Sequence, residues 1–171
     1  MTHRAYLALG SNIEPEHNLV AGVVALGHLG NVAAASGVYE TAPWGGRDQP
    51  NYLNAVVALD TELSAPALVT DALPGVEIKL GRIRGADRYA SRSIDIDMLL
   101  YDEAVMCIGE HRVPSPEIEE RYFVAIPLAD IAPDLVHPGS GDTMAAIADR
   151  FRPSDRQMRP RPDVVLIPPP T

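Results

Sequence analysis

A chain of 171 residues with 46% hydrophobic content is long enough to bury one sizeable core and too short for two comfortable domains. Its formal net charge of -9 argues against general binding to nucleic acid or to an anionic membrane, because both require a broad basic surface. We therefore predict a single domain over residues 1–151. The remaining residues, 152–171, are rich in arginine and proline, and because closely spaced prolines oppose both helix and sheet we predict that this tail is extended or partly disordered.

The rarity of lysine and cysteine further restricts the kind of anion site and the compartment that we expect. Of the 14 basic residues only Lys79 is a lysine, so any anion site must be built from arginine, whose planar fork binds phosphate bidentately. The lone Cys107 excludes an intramolecular disulfide and fits a reducing compartment. No charged leader precedes an apolar stretch and no window resembles a membrane span, so we expect a cytoplasmic protein.

The first third of the chain alternates between strand and helix patterns. Residues 6–9 predict a strand that runs into Gly10-Ser11-Asn12, a turn and candidate helix cap. Leu19, Val23 and Leu26 recur at helical spacing. Residues 32–40 then predict a second strand.

The middle third contains a loop, two further strands and a helix. Residues 41–51 hold two prolines and two glycines and predict a loop, and 52–60 predict a third strand. Ser64 caps a helix that reaches Leu80, with a break expected at Pro74-Gly75 because an internal proline kinks or ends a helix. Residues 93–101 predict the fourth strand.

This order of elements is that of an α+β fold. Strand, helix, strand, strand, helix, strand is typical of the ferredoxin-like βαββαβ antiparallel sheet, with helices packed on one face. We predict two extra C-terminal elements after the sheet. The first is a short strand at 123–126, and the second is a helix that is capped by Asp142-Thr143 and runs through Phe151.

The fourth strand carries two aspartates in an otherwise apolar run. Successive strand residues point to opposite faces, so Asp95 and Asp97 project together while Ile96 packs behind them. Two carboxylates with phosphate oxygens are the ligands that Mg²⁺ prefers. An Asp-x-Asp pair also arises by chance on the wet face of a sheet, although aspartate is rare in strands.

Four arginines directly upstream strengthen the functional interpretation. Arg82 and Arg84 share a face if the segment is extended, and the turn at Gly85 can bring Arg88 and Arg92 towards the same ligand. Arginines alone are more simply a solvated basic loop. Combined with the carboxylates they predict a site for a polyphosphate and divalent metal.

The only tryptophan, Trp44, lies in the Gly/Pro loop, where an aromatic ring can close over a flat ligand. The histidines lack metal-ligand spacing. Phosphate-binding and nucleophile motifs of the P-loop, Rossmann and Gly-x-Ser-x-Gly types are absent from the sequence.

Several separated motifs together resemble the 6-hydroxymethyl-7,8-dihydropterin pyrophosphokinases of folate biosynthesis. The match rests on Gly10-Ser11-Asn12, Tyr39 to Gly45, Asp48 to Ala55, Glu77 with Leu80 to Arg84, Arg92 to Asp97, and Val113-Pro114 followed by Arg121-Tyr122-Phe123. The resemblance implies transfer of pyrophosphate from ATP to the pterin hydroxymethyl group, giving AMP, on a ferredoxin-like sheet with mobile loops.

The resemblance also implies roles for individual residues. The expected catalytic residues are Arg82, Arg92, Asp95 and Asp97, of which Asp95 and Asp97 would bind two Mg²⁺ ions. The expected ATP contacts are Glu77, Arg84, Arg88, Arg92, Met98, Arg112, Ser115 and Arg121. The expected pterin contacts are Thr41, Ala42, Trp44, Tyr52, Asn54 and Phe123. ATP and the pterin would be the only partners of a monomer or weak homodimer.

Ser115 departs from the family pattern, since that position usually holds a histidine that contacts ATP. A non-catalytic paralogue that binds nucleotide or pterin on the same fold is therefore the alternative. An RNA-binding ferredoxin-like domain is a more distant one, opposed by the net charge of -9.

Overall fold

The computed structural model describes residues 1–152 and 157–167. In chain order the elements are β1 (His3–Ser11), α1 (Pro15–Leu26), β2 (Asn31–Ala35), β3 (Tyr39–Thr41), β4 (Tyr52–Thr61), α2 (Ala65–Ala67), a π-helical turn (Leu68–Ala72), α3 (Leu73–Lys79), β5 (Asp95–Tyr101), β6 (Met106–Ile108), β7 (His111–Val113), α4 (Glu117–Glu120), α5 (Tyr122–Ile131), α6 (Met144–Asp149) and β8 (Met158–Pro160). A short 3₁₀ turn, Trp44–Gly46, interrupts the loop before β4.

Six of the described strands form one antiparallel sheet in the order β5-β1-β4-β3-β8, with β2 also paired to β4. The sequence-based prediction of an antiparallel sheet with packed helices is thus correct. The single strand expected over 32–40 is two strands, because the Ser36 hydroxyl accepts from the Val56 backbone N–H, where a continuous strand would use its backbone carbonyl. β6 and β7 form a separate hairpin, which the sequence pattern did not indicate.

Helices cover both faces of the sheet, and this corrects the expectation of helices on one face. Leu7 and Leu9 of β1 pack with α1, α3 and the turn between α2 and α3. On the opposite face, Ala8 and Val56 pack against α5 and α6. The central strands therefore bury both of their surfaces, and the C-terminal elements are part of the main core.

The strand predicted at 123–126 is wrong, because these residues lie in helix α5. The buried side chains of α5 include Val124, Ala125 and Leu128, whose i, i+1, i+4 spacing is that of a helical face and not a strand. A short apolar run does not by itself distinguish the two. Thr143 does cap α6, through its Oγ1 and the backbone N–H of Ala146, but α6 ends at Asp149, before Phe151.

The break expected at Pro74-Gly75 is also wrong. The chain stays helical from α2 through the π-helical turn into α3, with Pro74 in the first turn of α3. A π-helical turn widens the backbone directly before the proline, and it relieves the clash that a proline ring makes with the carbonyl four residues earlier. The predicted cap Ser64 is present, since its hydroxyl accepts from the backbone N–H of Ala67.

The start of α1 differs from the sequence expectation. Ser11 belongs to β1, and α1 begins at Pro15 after Glu14, which has left-handed backbone angles and makes no side-chain cap. Asn12 does not cap α1. Its side chain instead makes hydrogen bonds to two loops.

The described part of the tail does not stand apart in solvent. Residues 158–160 add β8 to the edge of the sheet, and Met158 and Leu166 are buried. The prediction for the rest of the tail, 153–156 and 168–171, falls outside the described residues. In the part of the chain that the structure describes, we find no helix with the length and apolar character that crossing a bilayer requires.

Candidate active site

A row of polar positions crosses three neighbouring strands at one end of the sheet. Antiparallel register places Gly10 of β1 between Asp95 of β5 and Asn54 of β4. The three residues share the face that α5 covers. Gly10 has no side chain, and an added Cβ would lie 3.4 Å from Asn54 Oδ1, so the backbone here forms a flat floor between two polar groups.

Above this floor lies a cavity of about 870 Å³. Its walls come from the loop after β3, the loop between α3 and β5, and the start of α5. A volume of this size is within the range of small-molecule binding pockets. The cavity has two chemically different halves.

The first half, here called the arginine-carboxylate half, contains a network of arginine and carboxylate side chains. Arg82 Nη1 donates to Glu77 Oε1 and to Asp95 Oδ1, both at 2.6 Å. Arg92 Nη1 donates to the other Asp95 oxygen at 2.8 Å, and Arg84 Nη2 donates to Glu77 Oε2 at 3.0 Å. Glu77 is buried, and its Oε1 also accepts from the backbone N–H of Ile96. The network fixes Arg82 against β5.

Asp97 has a different environment from Asp95. The residues of β5 alternate as predicted, so both aspartates are partly exposed while Ile96 and Met98 are buried. No described residue donates a hydrogen bond to the Asp97 carboxylate. Burial, followed by the negative charges of Asp95, Glu117 and Glu77, raises its pKa to about 7.

The excess negative charge at Asp97 is what a divalent cation would relieve. Burial likewise raises the pKa of Glu117. Among residues 1–152 and 157–167, no cluster of three or more His, Cys, Asp or Glu side chains forms a complete protein-only metal site. Two carboxylates whose coordination is completed by phosphate oxygens and water are the usual arrangement for Mg²⁺ with a nucleotide, so Asp95 and Asp97 fit that role.

The second half of the cavity, here called the flat-ring half, is lined by aromatic side chains and an amide. Asn54 Nδ2 donates to Thr41 Oγ1 at 2.8 Å, which fixes the amide on the floor with Oδ1 towards Gly10. Tyr52 is partly buried beside it, and burial raises its pKa. Phe123 stands at the start of α5. These groups suit the polar edge and flat faces of a heteroaromatic ring.

Trp44 and Arg121 join the two halves. Trp44 is 56% exposed, and the Arg121 guanidinium lies 3.8 Å from the centre of its ring. This stacking is favourable because the aromatic face is electron-rich. It places a guanidinium directly against the loop after β3, which covers the second half of the cavity.

Polar contacts also hold the two loops together across the cavity mouth. Arg47 Nη1 donates to Asp87 Oδ2 at 2.7 Å, and Gln49 Nε2 donates to the Tyr89 carbonyl at 2.9 Å. The buried Asn12 side chain accepts from the Arg92 backbone N–H at 2.8 Å and donates towards the Pro50 carbonyl at 3.4 Å. The loops are thus tied to each other and to the end of β1.

Most of the site residues expected from sequence line this one cavity: Thr41, Ala42, Trp44, Tyr52, Asn54, Glu77, Arg82, Arg84, Arg88, Arg92, Asp95, Asp97, Met98, Arg121 and Phe123. Arg112 and Ser115 do not. Arg112 is exposed on β7, and Ser115 is buried with its hydroxyl accepting from the Glu117 backbone N–H. The Ser115 hydroxyl is therefore committed to the start of α4.

Sequence reasoning missed several residues that line the cavity. His111 donates through Nε2 to the Met98 carbonyl at 2.8 Å, and Glu117 faces the aspartate pair. Gln157 of the tail also lines the cavity. Their neighbours in sequence give no local signal, since each reaches the site only through the packing of the hairpin, α4 or β8.

Comparison with known proteins identifies the family. The model of the 7,8-dihydro-6-hydroxymethylpterin-pyrophosphokinase (HPPK) family matches residues 6–133. The chain belongs to the HPPK family. The resemblance inferred from the sequence motifs is thereby confirmed.

Two curated relatives show how much of the chain the HPPK match covers. A 2-amino-4-hydroxy-6-hydroxymethyldihydropteridine pyrophosphokinase from Methylorubrum extorquens is 43% identical over 156 residues, covering 88% of this chain and 95% of that protein. One from Pseudomonas aeruginosa is 41% identical over 141 residues, covering 81% and 86%.

Solved structures share the HPPK fold at low sequence identity. A Plasmodium falciparum HPPK-DHPS with pteroate superposes with a TM-score of 0.72 at 14% identity. The alignment covers 92% of this chain and 44% of that one, so this chain spans less than half the length of the Plasmodium protein. At this identity the likeness concerns the fold alone.

Proposed function

We propose that this protein transfers pyrophosphate from ATP to the hydroxymethyl group of 6-hydroxymethyl-7,8-dihydropterin, giving AMP and the pterin diphosphate for folate biosynthesis. The observation that carries the proposal is one cavity with an arginine-carboxylate half and a flat-ring half that meet at Asp95, Gly10 and Asn54. Two substrates of these two chemistries would meet at this row.

In the proposed reaction the hydroxymethyl oxygen attacks the β-phosphorus of ATP. A new oxygen–phosphorus bond forms, the bond between the β-phosphorus and the α,β-bridging oxygen breaks, AMP leaves with that oxygen, and the hydroxyl proton goes to solvent. Such transfers depend mainly on positioning and charge stabilisation. The arginines supply both, since Arg82 and Arg92 are fixed on Asp95 while Arg84 and Arg121 face the cavity.

We further propose that Asp95 and Asp97 hold two Mg²⁺ ions together with the ATP phosphates. The ions would neutralise polyphosphate charge and polarise the phosphorus under attack. The support is the acidic environment of Asp97, whose carboxylate accepts no hydrogen bond from the described residues and has a pKa raised by burial.

The pterin would lie on the Gly10 floor. Asn54 Oδ1, held by the bond between Asn54 Nδ2 and Thr41, can accept from the amino edge of the ring. Tyr52 and Phe123 would stack on its faces, and Ala42 and Trp44 would close over it. Stacking and edge hydrogen bonds together select a flat, amide-like ring.

We also propose that the sheet has the ferredoxin-like topology. The strand order β5-β1-β4-β3 supports a ferredoxin-like assignment of the sheet. A cytoplasmic location, a monomer or weak homodimer, and the absence of nucleic-acid partners stay predictions from the sequence.

The test is AMP formation by the purified protein. With ATP, Mg²⁺ and the pterin, AMP should appear, and without the pterin it should not. Asp97→Ala should lower turnover at least about 100-fold, because it removes a proposed ligand of the Mg²⁺ ions that would stabilise charge on the transferring group. The far-UV circular dichroism spectrum should stay unchanged.

Two results would contradict parts of the proposal. Nucleotide binding without pterin-dependent AMP would favour the non-catalytic paralogue. Normal turnover by Asp97→Ala in the presence of Mg²⁺ would refute the two-carboxylate site.

A further inference from the structure

Residues 158–160 of the Arg/Pro-rich tail lie against β3, the strand that leads into the pterin half of the cavity. β8 pairs with β3 in antiparallel register, with Met158 opposite Thr41 and Pro160 opposite Tyr39. Met158 and, further on, Leu166 are buried. The HPPK family model ends at residue 133, so this segment lies beyond the part of the chain that the model matches.

Arg161 fastens the segment to two elements of the domain. Its backbone N–H donates to the Val38 carbonyl at 2.8 Å. Its guanidinium lies 3.1 Å from Glu16 of α1 and 3.5 Å from Glu40 of β3, and its side chain is only 17% exposed. Asp163 accepts from the same guanidinium at 2.7 Å. A planar fork with several carboxylate partners holds more firmly than an isolated surface pair.

These contacts reach the substrate cavity within one residue. Glu40 directly precedes Thr41, whose hydroxyl accepts from Asn54 on the cavity floor. Gln157 directly precedes Met158 and itself lines the cavity. An exposed amide at that wall offers both a donor and an acceptor.

We propose that residues 157–167 complete the pterin end of the active site, with Gln157 as a substrate contact and Arg161 as a positioning residue that fixes β3. The substrate class is the flat, amide-edged heterocycle of the proposed function, on which this inference rests. ATP, bound at the arginine-carboxylate half, should not depend on the segment.

The first test is Gln157→Ala in the full-length protein, with KM measured separately for the pterin and for ATP. The pterin KM should rise about fivefold, the effect of losing one neutral hydrogen bond, while the ATP KM stays within about twofold. Because Gln157 is exposed, the substitution should leave the fold intact. An unchanged pterin KM would refute the contact.

The second test uses Arg161→Ala, Arg161→Lys and the control Arg150→Ala. Arg150 also bonds two carboxylates, Asp142 and Glu119, but does not line the cavity. Arg161→Ala should raise the pterin KM about threefold or more without raising the ATP KM, and Arg161→Lys should recover part of the loss. Arg150→Ala should change neither KM.

A purely structural tail would give a different pattern. Arg161→Ala would then lower the melting temperature while both KM values stayed the same, or moved together, and the positioning role would be refuted. Failure of the proposed function is separable, because the wild-type protein would then form no pterin-dependent AMP at all.

Discussion

Asp97 carries a carboxylate where burial and neighbouring negative charge disfavour ionisation. Its pKa is raised to about 7, against about 4 for an aspartate in an unfolded chain. Between these values the native state binds more protons than the unfolded state, so the metal-free protein loses stability as the pH rises. A group that costs stability yet faces the substrate cavity is typical of a functional site.

Asp97→Asn should therefore stabilise the metal-free protein at neutral pH. The free energy of unfolding should rise by about 1–2 kcal/mol at pH 7.5, less than the full pKa shift implies because Asp97 is partly exposed. The gain should disappear below about pH 4, where both states hold the proton. Urea unfolding from pH 4 to pH 8, with a chelator present, measures it.

Asp60→Asn is the matched control, with the opposite sign. Hydrogen bonds from Arg4 lower the pKa of Asp60, so its stabilising contribution is present at neutral pH and is lost as the pH falls through the folded pKa. The variant should be less stable at pH 7.5 by about 0.5–1 kcal/mol. Equal behaviour of the two variants would contradict the account of Asp97.

At the scale of elements, the cavity depends on loops that a single asparagine ties together. Asn12 is 2% exposed at the end of β1, and its amide reaches both the Pro50 carbonyl and the Ser91 hydroxyl while its Oδ1 accepts from Arg92. A buried amide with partners on two loops links the loops' positions. The arginine half and the flat-ring half thus share one support.

Asn12→Ala should lower kcat/KM about tenfold or more, because Arg92 and the loop after β3 lose their common support. It should also cost about 1–3 kcal/mol of stability, since the Arg92 backbone N–H loses its partner. Steady-state kinetics and urea unfolding measure the two effects.

Asn18→Ala separates the two effects. Asn18 is also buried, and it donates to the Ile13 carbonyl at 2.6 Å away from the cavity. The Asn18→Ala variant should lose a similar amount of stability and keep the wild-type kcat/KM. Equal losses of activity in both variants would show that general destabilisation, and not loop support, lowers the rate.

The elements also show where sequence patterns mislead. Strand β5 was predictable because alternation of aspartate with apolar residues has the period of a strand. Helix α5 was not, because a four-residue apolar run fits either structure until its partners on the sheet are known. Pro74 indicated a break, and the π-helical turn that accommodates it has no sequence signature.

At the scale of the whole molecule, the sheet joins two helical layers into one core. Leu7 of β1 packs in the layer of α1 and α3, and Leu128 of α5 packs in the opposite layer. Both layers rest on the same central strands. Neither layer can unfold without exposing the sheet face beneath it, so we expect one cooperative transition.

Leu7→Ala and Leu128→Ala should each lower the free energy of unfolding by about 2–5 kcal/mol, because each leaves a cavity in a buried layer. Each should shift the entire transition, with circular dichroism and near-ultraviolet absorbance of the tyrosines giving coincident curves. Two separate transitions in either variant would contradict a single shared core.

The sequence by itself determined the chemistry of this protein. Spacing on β5 put Asp95 and Asp97 on one face, and the separated motifs identified the HPPK family, because residue type and local periodicity are properties of the chain. Only the tertiary structure decided which groups meet. Strand register set Gly10 between Asp95 and Asn54, and packing buried Ser115 and brought Gln157 to the cavity. Such contacts join residues far apart in the chain, and no local pattern encodes their distance.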